Sequence, residues 1–152
     1  MRRRRSAEAK CDNRGMDNEF DDLFADRPGE VDEAADGRRV QFARWLDQLT
    51  VTLQPIADAA VANGHRARLT RDADRNVEFE VRFKEHPDLP VSCSFVAIYP
   101  PGGDVLVYVD SDGPGKFDDP RDPMRRPLDQ FTMDTAQQYV TDMIRSASKL
   151  LP

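Results

Sequence analysis

The chain has 152 residues and a net charge of −6, and a third of its side chains are charged. That length allows one domain, two cysteines cannot build a disulfide framework, and no apolar run approaches the roughly 18 residues of a membrane-spanning helix. The acidic balance argues against nucleic-acid binding by bulk charge. We therefore expect a polar protein of the reducing cytoplasm, with no membrane partner.

The first part of the chain is acidic and poor in aliphatic residues. Four arginines, Arg2 to Arg5, follow the initial methionine, but no apolar stretch comes after them, so an export signal is not expected. Residues 11–38 hold ten carboxylates against three arginines. Such a segment buries too little apolar surface to offset its ordering entropy. We expect residues 1–37 to form a mostly disordered tail.

One apolar stripe lies within this tail. Its members fall at the i, i+4, i+7 and i+8 positions of a helix, and they are Met16, Phe20, Leu23 and Phe24. The spacing predicts a short helix over residues 16–26, which Pro28 and Gly29 would end. An amphipathic helix in an acidic tail is typical of segments that dock in a partner's groove. The stripe is therefore a candidate partner-binding segment.

Apolar residues recur at spacings of three and four from Phe42 to Ala60, which predicts an amphipathic helix. Pro55 interrupts the pattern. Either the helix bends there, or a second helix begins with Pro55 in its first turn. Asn63 and Gly64 predict the end, since both residues tolerate the left-handed conformation of a helix cap.

Four strands are predicted next, over residues 65–71, 77–84, 91–99 and 104–110. The second is the clearest, because apolar and charged residues alternate strictly along it. The short connections between the strands favour an antiparallel meander, since parallel neighbours need long crossovers. Residues 111–127 are rich in Asp, Pro and Gly and are predicted to be a loop.

A final helix is predicted over residues 133–150, with Thr132 as its cap and an inner face that includes Tyr139 and Leu150. Residues 38–152 thus form a single α+β domain. The predicted architecture is a two-layer sandwich in the order helix, four-stranded antiparallel meander, helix.

The alternation lets the two faces of the sheet be read separately. One face should meet the helices through residues such as Phe79, Phe95 and Val107. The opposite face begins with charged residues but ends with four apolar ones, which are Val96, Ile98, Leu106 and Tyr108. Four sequence-compatible covers exist for them: the final helix, a second copy of the chain, the stripe at residues 16–24, or a partner protein.

The loop over residues 110–122 is the leading candidate for a metal site. Its carboxylates are Asp110, Asp112, Asp118 and Asp119. The EF-hand pattern fails, because Pro114 stands at position 5 and Arg121 at position 12. A looser divalent-ion site, and with it a metal-dependent hydrolase, is the alternative function. Two histidines are too few for most other metal or acid–base sites, and we expect no cofactor and no catalytic residues.

The leading functional hypothesis is a small, non-catalytic protein-binding module of the adaptor or chaperone-like kind, which forms homodimers. Its candidate partner-binding residues are the tail stripe and the four apolar residues of the outer sheet face. The predicted order of elements occurs in many unrelated small domains, secretion-chaperone-like ones among them, so fold alone does not specify a function. A third reading is nucleic-acid association through Arg2 to Arg5.

Overall fold

A computed structural model describes residues 30–113 and 122–151, with side chains described from residue 37 onward. The chain divides into two units, Met1–Ala35 and Asp36–Pro152. Only the helical residues 30–35 of the first unit are described. The elements, in chain order, are α1 (Glu30–Ala62), β1 (Arg66–Asp72), β2 (Asn76–Arg82), β3 (Val91–Ile98), β4 (Leu106–Asp112), β5 (Met124–Pro127), a short 3-10 helix (Leu128–Gln130) and α2 (Met133–Leu150).

Helix α1 is a single helix of 33 residues that contains Pro55. The sequence left open whether one helix bends at Pro55 or a second helix begins there, and the structure has one continuous helix. The helix begins at Glu30, inside the segment 1–37 that composition assigned to the tail. It ends as predicted, because Gly64 takes a φ of 90° and the N–H of His65 donates to the Ala60 carbonyl at 3.0 Å.

The sheet is an antiparallel meander in the order β1-β2-β3-β4-β5. The prediction of four strands was wrong by one, because residues 124–127 form a fifth strand inside the segment predicted as loop. This strand has four residues, two of them arginines, and it ends on a proline. Such a composition suits a sheet edge, where one row of N–H groups needs no partner.

Both helices pack on the same face of the sheet, here called the inner face. Phe95 of β3 shows this directly, since its ring lies 6.1 Å from the ring of Trp45 on α1 and 6.3 Å from that of Tyr139 on α2. The predicted two-layer α+β arrangement is therefore confirmed. The opposite side of the sheet is called the outer face.

The core fills the space between the helices and the inner face. Alternate residues of β2, β3 and β4 are buried there, as the alternation predicted, and Phe79, Phe95 and Val107 are fully buried. Trp45 ties the layers together, since its indole N–H donates to the Phe131 carbonyl at 2.8 Å. A buried indole N–H with a partner avoids the cost of an unpaired donor.

Helix α2 has the predicted bounds and the predicted cap. The Thr132 hydroxyl accepts a hydrogen bond from the backbone N–H of Thr135 at 3.1 Å. Tyr139 and Met143 of its inner face are buried, whereas Leu150 is 53% exposed, so its place on that face was predicted wrongly. Neither helix, over the part of the chain that is described, is long and apolar enough to cross a membrane.

Candidate functional site

Four apolar side chains lie together on the outer face. Val96 of β3 pairs with Tyr108 of β4, and Ile98 pairs with Leu106 in the next row, so the four form a square over two neighbouring strands. We call this square the apolar patch. Its members are half-buried and do not belong to the core on the inner face. The structure thus brings together the four outer-face residues that the sequence singled out.

The apolar patch is not covered by the final helix. Tyr139 of α2 contacts Phe95, whose side chain lies on the inner face, so α2 packs on the side away from the patch. Helix α1 lies on the inner face too, through Trp45. Of the four covers compatible with the sequence, the final helix is therefore excluded. The other three remain.

A cation borders the patch at the β5 edge. The guanidinium carbon of Arg125 lies 5.8 Å from the centroid of the Tyr108 ring, a cation–π distance. Arg125 is the direct partner of Tyr108 across β4 and β5, and Pro127 is the partner of Leu106. The apolar surface therefore continues onto β5 and has a positive charge on that side.

The opposite border of the patch is polar and acidic. The neighbouring row across β2, β3 and β4 contains Glu78, Ser94 and Asp110, and Asn76 stands beside Val96 in the row of the patch itself. The Asn76 side-chain amide donates to the Ser94 hydroxyl at 3.4 Å. The outer face thus has an apolar corner with a cation on one flank and carboxylates on the other.

The candidate metal residues are only partly described. Asp110 and Asp112 lie on β4 with both side chains on the outer face, and an Asp110 carboxylate oxygen accepts from the backbone N–H of Ser111 at 2.9 Å. Asp118 and Asp119 lie outside the described residues. Across residues 37–113 and 122–151, no group of three or more His, Cys, Asp or Glu side chains converges to hold a metal ion. The metal site stays a prediction.

Sequence reasoning missed a partly buried polar cluster centred on Asp122. Asp122 accepts hydrogen bonds from the Ser111 hydroxyl, at 2.7 Å, and from the phenol of Tyr139. Ser111 is buried on the inner side of β4, directly opposite Cys93 of β3. Residues from β4, α2 and the segment before β5 thus meet at one carboxylate. One feature of the sequence pointed to this cluster. Tyr139 lies on the inner stripe of a helix, and a buried phenol hydroxyl needs a hydrogen-bond partner.

The electrostatics of this cluster favour neutral side chains around a single carboxylate. Burial, together with the hydrogen bond to Asp122, raises the pKa of the Tyr139 phenol. Burial and the charge of Asp122 likewise raise the pKa of the Cys93 thiol, so that it stays protonated and weakly nucleophilic. The arrangement connects the segment before β5 to α2 and is suited to a structural role.

Two further candidates fall outside the described residues. These are the tail stripe (Met16, Phe20, Leu23 and Phe24) and the arginine run from Arg2 to Arg5. Both stay predictions from the sequence.

No protein-family model, no curated protein and no solved structure matches this chain.

Proposed function

We propose that this protein is a non-catalytic protein-binding module of the adaptor or chaperone-like kind, which self-associates through the outer face of its sheet. The single observation that supports the proposal is the apolar patch, which lies on the face that carries neither helix. Removing apolar surface from water stabilises an association by about 25 cal/mol per Å² buried. A contiguous apolar surface rimmed by polar residues is typical of a protein contact site.

The register of the sheet makes the patch complementary to itself. Consider a two-fold axis that runs between β3 and β4, parallel to the strands, with two outer faces packed together at about 10 Å. Each β3 then lies over the partner's β4. Tyr108 of one protomer faces Val96 of the other, and Leu106 faces Ile98. Each contact occurs twice, as a two-fold interface requires.

The charges on the two flanks support the same arrangement. The axis that superposes β3 on β4 also brings β5 of one copy over β2 of the other. Arg125 then lies over Asn76, with Glu78 one row away, so a cation meets the acidic flank. Stable interfaces bury about 800 Å² on each partner. The four patch residues therefore supply the apolar centre, and the flanking polar rows supply the rim.

The proposal is tested by comparing two substitutions of an apolar residue by aspartate in the full chain. Leu106→Asp places a charge in the apolar patch, whereas Val51→Asp does so on the exposed side of α1, where Val51 is 75% exposed. Light scattering coupled to gel filtration reports the mass of each. We expect the parent chain and Val51→Asp to dimerise with rising concentration, and Leu106→Asp to stay monomeric with an unchanged circular dichroism spectrum.

A parent chain that stays monomeric at every concentration would contradict self-association. It would instead favour a cover supplied by residues 16–24 or by a different protein. A dimer that survives Leu106→Asp but is lost in Val51→Asp would move the interface to the helical side and would equally overturn the proposal.

A further inference from the structure

The outer face has a second unusual region, at the end of β1 and β2 away from the apolar patch. A depression of about 460 Å³ lies there, lined by Arg66, Ala67, Arg68, Glu80 and Arg82. Three of its five lining residues carry a guanidinium group and one carries a carboxylate. We call this region the arginine depression.

Two of these arginines face each other directly. Arg66 of β1 is the register partner of Arg82 of β2, and the next outer-face pair along the strands is Arg68 with Glu80. Like charges that lie opposite each other on neighbouring strands are destabilising. A pairing of this kind is costly for the fold unless an anion lies between the two cations.

The single carboxylate is already in use. Glu80 accepts hydrogen bonds from Arg68 at 3.0 Å and from the Nε–H of Arg82 at 2.8 Å. Arg82 also donates through Nη1 to the Pro87 carbonyl at 3.0 Å, which fixes its orientation. The Arg66 guanidinium has no hydrogen-bonded or ionic partner among the described residues. Two positive charges are left uncompensated, on a protein whose net charge is −6.

We propose that the arginine depression binds a phosphate group. A guanidinium has five N–H donors in a planar fork that matches phosphate oxygens, and most of those on the three arginines are unused. The two uncompensated charges match a phosphate monoester, which carries about −1.5 to −2 near neutral pH. This site lies outside the proposed dimer contact, because no strand is superposed on β1, and Glu80 and Arg82 of β2 stand in rows beyond the end of the four-residue β5 that the axis brings over β2.

The experiment uses the full chain, with inorganic phosphate and a short phosphoserine peptide as the two probes in isothermal titration at constant ionic strength. Arg66→Gln removes the unpartnered cation. Arg145→Gln is the control, since Arg145, like Arg66, is an exposed arginine, and it lies on α2, away from the depression. We expect Arg66→Gln to weaken phosphate binding at least about tenfold and Arg145→Gln to leave it unchanged.

The two probes distinguish the source of the phosphate group. Tighter binding of the peptide assigns the site to a phosphorylated protein, and equal or tighter binding of inorganic phosphate assigns it to a small molecule. No heat with either probe would overturn the proposal. Equal weakening in both variants would overturn it as well, since binding would then depend on net charge alone.

Discussion

Val96 of β3 and Tyr108 of β4 are direct partners in the sheet, on the face that carries neither helix. Phe95 and Val109, the inner-face neighbours of this pair, are fully buried under the helices, whereas Val96 and Tyr108 are half-buried. At this end of the sheet, β3 and β4 are therefore apolar on both faces, a pattern typical of sheets that are covered on both sides.

The first prediction concerns the partly buried cluster at Asp122. Tyr139→Phe removes the phenol that donates to the Asp122 carboxylate. A hydrogen bond to a charged group contributes about 1.5–3 kcal/mol, so we expect the free energy of unfolding to fall by that amount. Denaturant unfolding measures it. Tyr108→Phe is the matched control and should change stability by less than about 0.5 kcal/mol. Equal losses of unfolding free energy in the two variants would show that the hydrogen bond from Tyr139 to Asp122 does not stabilise the fold.

The second prediction concerns Cys93, which is 2% exposed and whose thiol pKa is raised by burial. In a Cys11→Ser variant, which isolates this thiol, we expect native Cys93 to react with a disulfide reagent at least about a thousandfold more slowly than in denaturant. The unfolded thiol ionises near pH 8.5 while the folded one stays protonated. Stability should therefore fall as pH rises above that value. Rapid labelling of the native protein would contradict the buried position.

The third prediction concerns Glu80, whose pKa the hydrogen bond from Arg82 lowers from the ordinary value of 4.5. A lowered folded pKa stabilises the protein above the unfolded pKa, and this contribution is lost as pH falls through the folded pKa. Glu80→Gln should therefore cost up to about 1 kcal/mol at neutral pH and nothing in strong acid. Unfolding measured against pH tests this, with Glu85→Gln, an exposed carboxylate, as control. A cost independent of pH would contradict the assignment.

The fourth prediction concerns divalent cations. The proposed non-catalytic module predicts that Ca²⁺, Mg²⁺ or Mn²⁺ at about 1 mM leaves the melting temperature unchanged, whereas a metal-dependent hydrolase predicts a rise. A rise that disappears in Asp110→Ala or Asp112→Ala would instead support the metal-dependent hydrolase. That result would count against a purely non-catalytic module.

The sequence predicted the elements whose signals are local. Thr132 and the apolar stripe that follows it give the start of α2 to the residue, and the strict alternation from Val77 gives β2 and its two faces. The short connections give the antiparallel order. In each case a turn, a cap or a periodic pattern within one segment carries the information.

The parts that were missed or left open depend on contacts between distant segments. Strand β5 is four residues long and contains two arginines and a proline, so it has no periodic signal, and only its pairing with β4 makes it a strand. The placement of α2 on the inner face follows from the contact of Tyr139 with Phe95, across 44 positions of the chain. The Ser111–Asp122–Tyr139 cluster likewise joins three segments that the sequence does not relate.

The central claim is that the apolar patch is the contact between two copies of this chain. Two-dimensional NMR of the ¹⁵N-labelled full chain over a range of concentrations tests it most directly. We expect the amide signals of Val96, Leu106 and Tyr108 to shift together as the concentration rises, while that of Val51 on α1 stays in place. Signals of the patch that do not move with concentration, or shifts confined to α1, would contradict the claim.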